Sequence, residues 1–457
     1  MEHKKIRSDD LMKLGAYAAG LELAALPAET IITAKAALLY GLAVAIGTRK
    51  ARPAQIAAKV TEPEIPAATR LLDGGRVSCA TAAFANAVLM SGRAQGDSHL
   101  CGHLGGVVIP AALAMSEKLH ADGATFLAAV VAGYEVALRI GRDHYADLSQ
   151  RGFRTSPCYG VFGATVSSAR VRRFTPEQTT NAINLSTNFA GGLREYVDGG
   201  SEESPFQAGF AARNGLYVAD LVDCGVTASA GALSGSAGFY RAFGRKGVDY
   251  GQRLVEHLGV AFELGNVTYK EYPACQIVRG IINGLAALRQ QAGSSHAERI
   301  VVRLTPYEAN FIGTAFKGPF TSAAQTLMSA PFCAALAWTT GTVTYDALRI
   351  YEDPLVLGLV SIIDIIADNS RRKYEPHITV TLDSGNTLTW EPKRGAGDSA
   401  YQLTWEAAIR MNERLCTEVN VPMMLAERLA EEVEKIDRAP SIDGLIATVC
   451  AATGAAY

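Results

Sequence analysis

From Ser8 to about Arg245 apolar residues recur at three- and four-residue spacing, most clearly over Pro27–Gly47, Val77–Met90, Val107–Leu119 and Ala124–Ile140. That period predicts helices with one face or more turned inward. Ala, Leu and Gly dominate these stretches, and such small residues let helices approach closely. Gly74-Gly75, Gly105-Gly106, Gly191-Gly192 and Gly199-Gly200 read as helix ends or tight turns. Thr175-Pro176-Glu177-Gln178 has the form of a capping box with proline at the first helical position, opening a helix through Asn181 and Leu185.

After about Gly265 the pattern changes. Arg299–Leu304 (RIVVRL) and His377–Leu382 (HITVTL) alternate with the two-residue period of half-buried strands, and Asp383–Asn386 (DSGN) is a turn leading into Thr387–Trp390. Helical stretches at about Cys275–Gln290 and Ser322–Thr340 alternate with the strands. From Thr404 the helical period returns in WEAAIRMNERLC and MLAERLAEEVEKI. The expected fold is mainly α with a smaller α+β domain. Residues 1–265 form a helical domain, 266–402 an α+β domain acting as a lid, and 403–457 return as helices to the first domain. With no repeat and no long linker, the two domains are expected to pack closely and leave a cleft, and glycines near Gly265 and Gly395–Gly397 would permit closure.

The 457 residues are 49% hydrophobic and 19% charged, a globular composition with ample chain for a large core. Lys and Arg number 43 against 45 Asp and Glu, without basic blocks, which argues against nucleic acid or an anionic membrane as partner. A small molecule or a second copy of the chain is expected instead. The mean hydropathy of +0.11 and the 44 glycines suggest surface buried in a homodimer. The eight cysteines are scattered, with no CxxC pair and no zinc-like spacing, and read as reduced thiols. The N-terminus lacks the apolar core of a signal peptide, so a cytoplasmic location is expected.

Candidate chemistry concentrates in three glycine-bounded clusters. Gly96–Gly106 (GDSHLCGHLGG) places Asp97, His99 and His103 where the chain must turn between helices. A loop with two imidazoles and a carboxylate can hold a general acid or base near neutral pH, although a helix-capping aspartate with partly exposed histidines fits the same residues. Gly152–Gly163 (GFRTSPCYGVFG) carries Arg154, Thr155, Ser156 and Tyr159, suited to gripping a carboxylate, or else a solvated arginine at a helix start. Tyr269–Arg279 (YKEYPACQIVR) carries Lys270, Tyr272 and Arg279, which could add positive charge for an anionic ligand. No phosphate or dinucleotide signature occurs in a strand–loop–helix setting, and Gly231–Gly235 (GALSG) puts serine one place too late for a nucleophile elbow. His99 and His103 are four apart without a carboxylate in zincin register, so neither a metal nor a cofactor is expected.

In order and spacing these clusters resemble the MmgE/PrpD family, which includes 2-methylcitrate dehydratase, cis-aconitate decarboxylase and iminodisuccinate epimerase. GDSHLCGHLGGVVIPAALAMSEKL is similar to its acidic loop followed by a histidine and a helix, and AAVVAGYEVALRIG (Ala128–Gly141) to its AGYE helix. GFRTSPCYGVFGA, SPFQAGFAARNG (Ser204–Gly215), KEYPAC (Lys270–Cys275) and AAQTLMSAPFCAALA (Ala323–Ala337) resemble further family segments in sequence, and the likeness runs over about residues 10–400. It implies a helical domain plus an α+β lid, an interdomain site, a homodimer, and cofactor-independent proton removal next to a carboxylate. It also implies His103 as main acid/base with Asp97 as its orienter or partner, Lys270 as a cation or second acid, and His99 as a further candidate. Arg154, Arg279, Thr155, Tyr159, Ser204 and Tyr272 are expected to bind substrate.

The chain departs from the family pattern at Arg154 and Arg279, where histidines are common, at Ser204 for lysine, at Phe332 for tyrosine, and near Ala94, where an aspartate is missing. Imidazole-to-guanidinium changes remove groups that titrate near neutrality and add permanent charge. The leading expectation is a dehydratase- or decarboxylase-like lyase acting on a small organic acid or imine. An epimerase or isomerase uses only the proton-transfer half of that mechanism, a cyclisation enzyme is a third reading, and a non-catalytic binding protein is the contrasting class.

Overall fold

The computed structural model describes residues 8–52, 54–55, 66–393 and 401–454. They form mainly α structure with small sheets, in two compact units. The first unit takes residues 1–194, 204–269 and 403–457, and the second 195–203 and 270–402. The excursion of Glu195–Glu203 into the second unit has no local signature in the chain.

Helices of the first unit are α1 (Ser8–Gly20), α2 (Ala28–Thr48), α3 (Cys79–Ser91), α4 (Gly105–Lys118), α5 (Gly123–Gly141), α6 (Thr155–Val171), α7 (Pro176–Ser186) and α8 (Ser204–Asp223). The capping box opens α7, with Thr175 accepting from the Gln178 amide and Gln178 from that of Thr175. Gly105-Gly106, read from the sequence as a helix end or tight turn, forms the N-terminal end of α4. A small ribbon, β1 (Ala68–Thr69) against β2 (Arg76–Val77), was not anticipated, being too short to show a period.

Missing side chains hold α4, α5 and α6 together. A Cβ on Gly133 would lie 2.7 Å from the Gly163 carbonyl oxygen and from Val108 Cγ1, and one on Gly163 2.7 Å from Val108 Cγ2. These three helices therefore pack at a separation that a methyl group on either glycine would force apart. α2 and α5 are long and apolar enough to cross a membrane, yet 72% and 89% of their most apolar windows are buried inside the structure, as in core helices.

The second unit contains α9 (Arg279–Ala292), β3 (Ala297–Leu304), α10 (Ala330–Thr340), α11 (Pro354–Ser361), β4 (Ile363–Ala367), β5 (His377–Leu382) and β6 (Thr387–Trp390). The sheet runs β4-β3-β5-β6, with β4 parallel to β3 and the other pairs antiparallel. Val302 pairs with Ile365 on one side and Ile378 on the other, so the inward faces align. Ile281, Ile282, Leu285 and Leu288 of α9 share a core with Ile300, Val302 and Leu304. Gly284 allows the close approach, since a Cβ there would meet Ile378 and Trp390 at 2.5 Å.

The helix expected over Ser322–Thr340 is broken: Ala323–Thr326 forms one turn, and Ser329, whose Oγ accepts from the Phe332 amide at 3.1 Å, starts α10 afresh. β4 escaped the sequence reading because it follows apolar α11 without a change in hydrophobicity. The glycines Gly395–Gly397, suggested as a joint, lie outside the described residues. The last helices, α12 (Trp405–Glu418), α13 (Met423–Glu434) and α14 (Asp443–Thr453), belong to the first unit.

Candidate active site

The loop before α4 is built by short-range pairing. Ser98 exchanges backbone hydrogen bonds with Thr268 at 2.7 and 2.8 Å, and His99 with Gly102 at 3.0 and 2.9 Å. Gly102 has φ +115°, and a Cβ there would lie 2.7 Å from Ser156 Oγ, so glycine is required on both counts. The next amide, of His103, donates to Ser156 Oγ at 2.9 Å and ties the loop to the start of α6.

His103 is partly exposed, and its Nδ1 lies 2.5 Å from the main-chain carbonyl oxygen of Asp97. A carbonyl oxygen only accepts, so Nδ1 carries the proton and Nε2 is the basic atom of the neutral ring. The Asp97 carboxylate, 4% exposed, is committed elsewhere: Oδ1 accepts from the Gly105 amide at 3.0 Å, and Oδ2 from the Tyr134 hydroxyl at 2.8 Å. Asp97 thus caps α4 with its side chain and orients His103 with its backbone, so the orienting group is the carbonyl where the sequence reading had the carboxylate. Burial first, and the Asp97 charge second, hold the Tyr134 hydroxyl well above the ordinary phenol range.

His99 is drawn away from this pair. Its Nδ1 accepts from the Cys101 amide at 3.2 Å, leaving Nε2 as the side that faces Glu263 at 3.4 Å. Glu263 also receives Arg142 at 2.6 Å. These partners, His99 foremost, pull the Glu263 carboxyl down to about 2. The ring is 5% exposed, so the structure gives His99 a buried cross-linking place rather than the acid/base place expected of it. Burial pushes the neighbouring Cys101 thiol up, out of nucleophile range.

The second cluster divides. Thr155 begins α6 with its hydroxyl beside Gly102. The Arg154 guanidinium donates to the Ser204 carbonyl and, at 3.4 Å, to Gln207 Oε1, joining the start of α6 to that of α8. Ser204 therefore contributes its carbonyl to this link. Tyr159 is corrected: it is fully buried, and its hydroxyl meets His144 Nδ1 at 2.9 Å among Phe239, Tyr240 and Tyr250, so it belongs to an aromatic core.

The third cluster lies in the second unit. Lys270 and Arg279 are 6% and 3% exposed. The Arg279 guanidinium stands 3.1 Å from the centroid of the Tyr401 ring. Tyr272 donates to Asn283 Oδ1 at 2.6 Å, and Asn283 Nδ2 to the Tyr401 hydroxyl at 2.6 Å, so the tyrosines brace the start of α9. Sequence reasoning passed over Tyr134 and Gln276, although both stand within the segments it quoted; neither residue type signals a role without knowledge of its partners. Among the described residues no group of three or more His, Cys, Asp or Glu is placed to hold a metal ion.

Residues 12–250 match the MmgE/PrpD N-terminal domain, and residues 272–436 the MmgE/PrpD C-terminal domain. Cis-aconitate decarboxylase of Aspergillus terreus (strain NIH 2624 / FGSC A1156) is 28% identical over 290 residues, 60% of this chain and 59% of that protein. Cis-aconitate decarboxylase-like protein oryM of Aspergillus oryzae (strain ATCC 42149 / RIB 40) is 27% identical over 282 residues, 58% of each chain. The matches thus span less than two thirds of these relatives' length.

Proposed function

We propose that this chain, which belongs to the MmgE/PrpD family, is a lyase-type enzyme that moves a proton next to a carboxylate of a small organic acid. The observation carrying this reading is the fixed tautomer of His103, whose Nδ1–H is held by the Asp97 carbonyl so that Nε2 is the basic atom. In a dehydration, Nε2 takes the proton from carbon, the C–H electron pair forms the alkene, and the hydroxyl leaves as water with a proton taken from solvent. In a decarboxylation, Nε2 first takes a proton from solvent, the C–C bond to a carboxylate breaks, carbon dioxide departs, and the electron pair left on carbon takes that proton from His103. The names of the Aspergillus relatives make cis-aconitate the first compound to test. Neither route requires a metal or cofactor.

Epimerisation is favoured as second reading by Arg154 and Arg279, which hold permanent charge where the resemblance to the family implies histidine, so fewer acids are at hand to expel a leaving group. Incubating small di- and tricarboxylates with the protein in heavy water separates the readings. Lyase chemistry gives an alkene or carbon dioxide, whereas epimerisation gives deuterated starting compound of otherwise unchanged composition. Neither product from any compound would leave the non-catalytic reading.

A homodimer in the cytoplasm completes the proposal. Phe210, Tyr217 and Leu221 are exposed along α8, with Arg213 stacked on the first two rings at 5.9 and 5.3 Å. Aromatic residues with arginine on one helix face are the composition of a protein interface. All the cysteines are free thiols, in keeping with a reducing compartment.

A further inference from the structure

Gln276 begins a 3₁₀ turn, Gln276–Val278, that runs directly into α9 at Arg279. The residue is 8% exposed, and both its Oε1 and its Nε2 are buried without a hydrogen-bond partner. A buried amide with neither end satisfied costs free energy that leucine or methionine of similar size would not. Ile277 and Val278, the other two residues of the same turn, are core residues, so the turn itself is firmly anchored.

The surroundings fit an anion. Arg279, three residues on and therefore on the same side of the helix start, carries a permanent charge braced on Tyr401. α9, fourteen residues long, turns its positive end toward this point. A carboxylate satisfies donors such as the guanidinium and Nε2–H, but it leaves Oε1 without a partner. That acceptor needs a hydroxyl or an amine on the ligand.

We propose that Gln276 is a substrate-reading residue, its Nε2–H donating to a carboxylate and its Oε1 accepting from a hydroxyl or amine on a neighbouring carbon. The assignment rests on the carboxylate reading of the function and adds a selectivity to it: acids with a hydrogen-bond donor beside the carboxylate are preferred over bare carboxylates of the same length.

The test is calorimetric titration of the full-length protein with malate, aspartate and succinate, which share a chain length and differ in the donor. Malate or aspartate is expected to bind about tenfold more tightly than succinate, and Gln276→Leu to erase that preference. Gln276→Met serves if the leucine variant does not fold. Equal binding of all three acids, no binding of any, or a preference that survives in the variants overturns the assignment. Binding is read without turnover, so a protein that shows the preference but no catalysis refutes the lyase reading alone. One that loses turnover in a His103 variant but shows no preference refutes only the role of Gln276.

Discussion

His103 Nδ1 and the carbonyl oxygen of Asp97 are 2.5 Å apart, so the imidazole is oriented by the backbone of a residue whose carboxylate is occupied eight positions away along the chain, by the Gly105 amide at the start of α4. The division of labour in Asp97 has a measurable signature. Asp97→Asn keeps the backbone bond and an acceptor for the Gly105 amide, and is expected to cost about 1 kcal/mol. Asp97→Ala removes the cap and leaves the Tyr134 hydroxyl buried without its acceptor, at about 2–3 kcal/mol. Urea denaturation of the pair measures the difference, and equal losses would contradict the cap.

Gly105 is expected to be intolerant of alanine for a specific reason. Its Cβ would meet the Tyr134 hydroxyl oxygen below contact distance and Asp97 Oδ1 at 2.9 Å. Gly105→Ala should therefore disturb the loop that holds His103, costing about 1–3 kcal/mol as overpacking. Adding Tyr134→Phe removes one of the clashing atoms, so the double variant should be more stable than the sum of the singles by about 0.5 kcal/mol or more. Strict additivity in thermal denaturation would show that the two positions do not share this contact.

Acid sensitivity should trace to His144. Its fully buried ring lies 4.6–5.3 Å from those of Tyr250, Tyr240 and Phe239, and burial, opposed in part by Asp147, lowers its pKa from 6.5 to about 4. Between those values the unfolded chain binds a proton that the folded chain refuses. Stability is therefore constant in this respect above about pH 6.5 and falls as the pH drops toward 4, by about 3 kcal/mol over the interval. His144→Gln should lower stability at pH 7, through the lost aromatic contacts, but flatten the decline between pH 6.5 and 4. An unchanged slope in denaturation curves across that range would assign the acid sensitivity elsewhere.

The proposed dimer is tested on α8. Phe210→Glu with Tyr217→Glu places charge on exposed positions, so folding should survive while light scattering reports a shift from dimer to monomer. A wild-type monomer, or a charged variant that still dimerises, excludes this face.

Much of the architecture is legible in the chain because local rules determine it. The three-to-four period of α2 to α6, the Thr175 capping box and the alternation of His377–Leu382 each depend on neighbours a few residues away. What escaped depends on distant partners. Nothing within GDSHLCGHLGG says that the Asp97 side chain will turn to Tyr134 on α5, that His99 will find Glu263, or that Tyr159 will face His144. The histidine and aspartate residue types were visible as chemistry, while the division into an orienting Asp97 backbone and a cross-linking His99 appears only with the fold. The same holds for Gln276, an ordinary glutamine until both ends of its amide prove buried and unpartnered.

The proton-transfer role of His103 is tested most directly by the rate at which a carbon-bound hydrogen of a small di- or tricarboxylate, cis-aconitate first among them, exchanges with heavy water, followed by nuclear magnetic resonance. Wild-type protein is expected to exchange or convert at least one such acid, and His103→Gln, with its melting temperature unchanged, to do so about a hundredfold more slowly or worse. Exchange at the wild-type rate in folded His103→Gln, or none with any acid in the wild type, would contradict it.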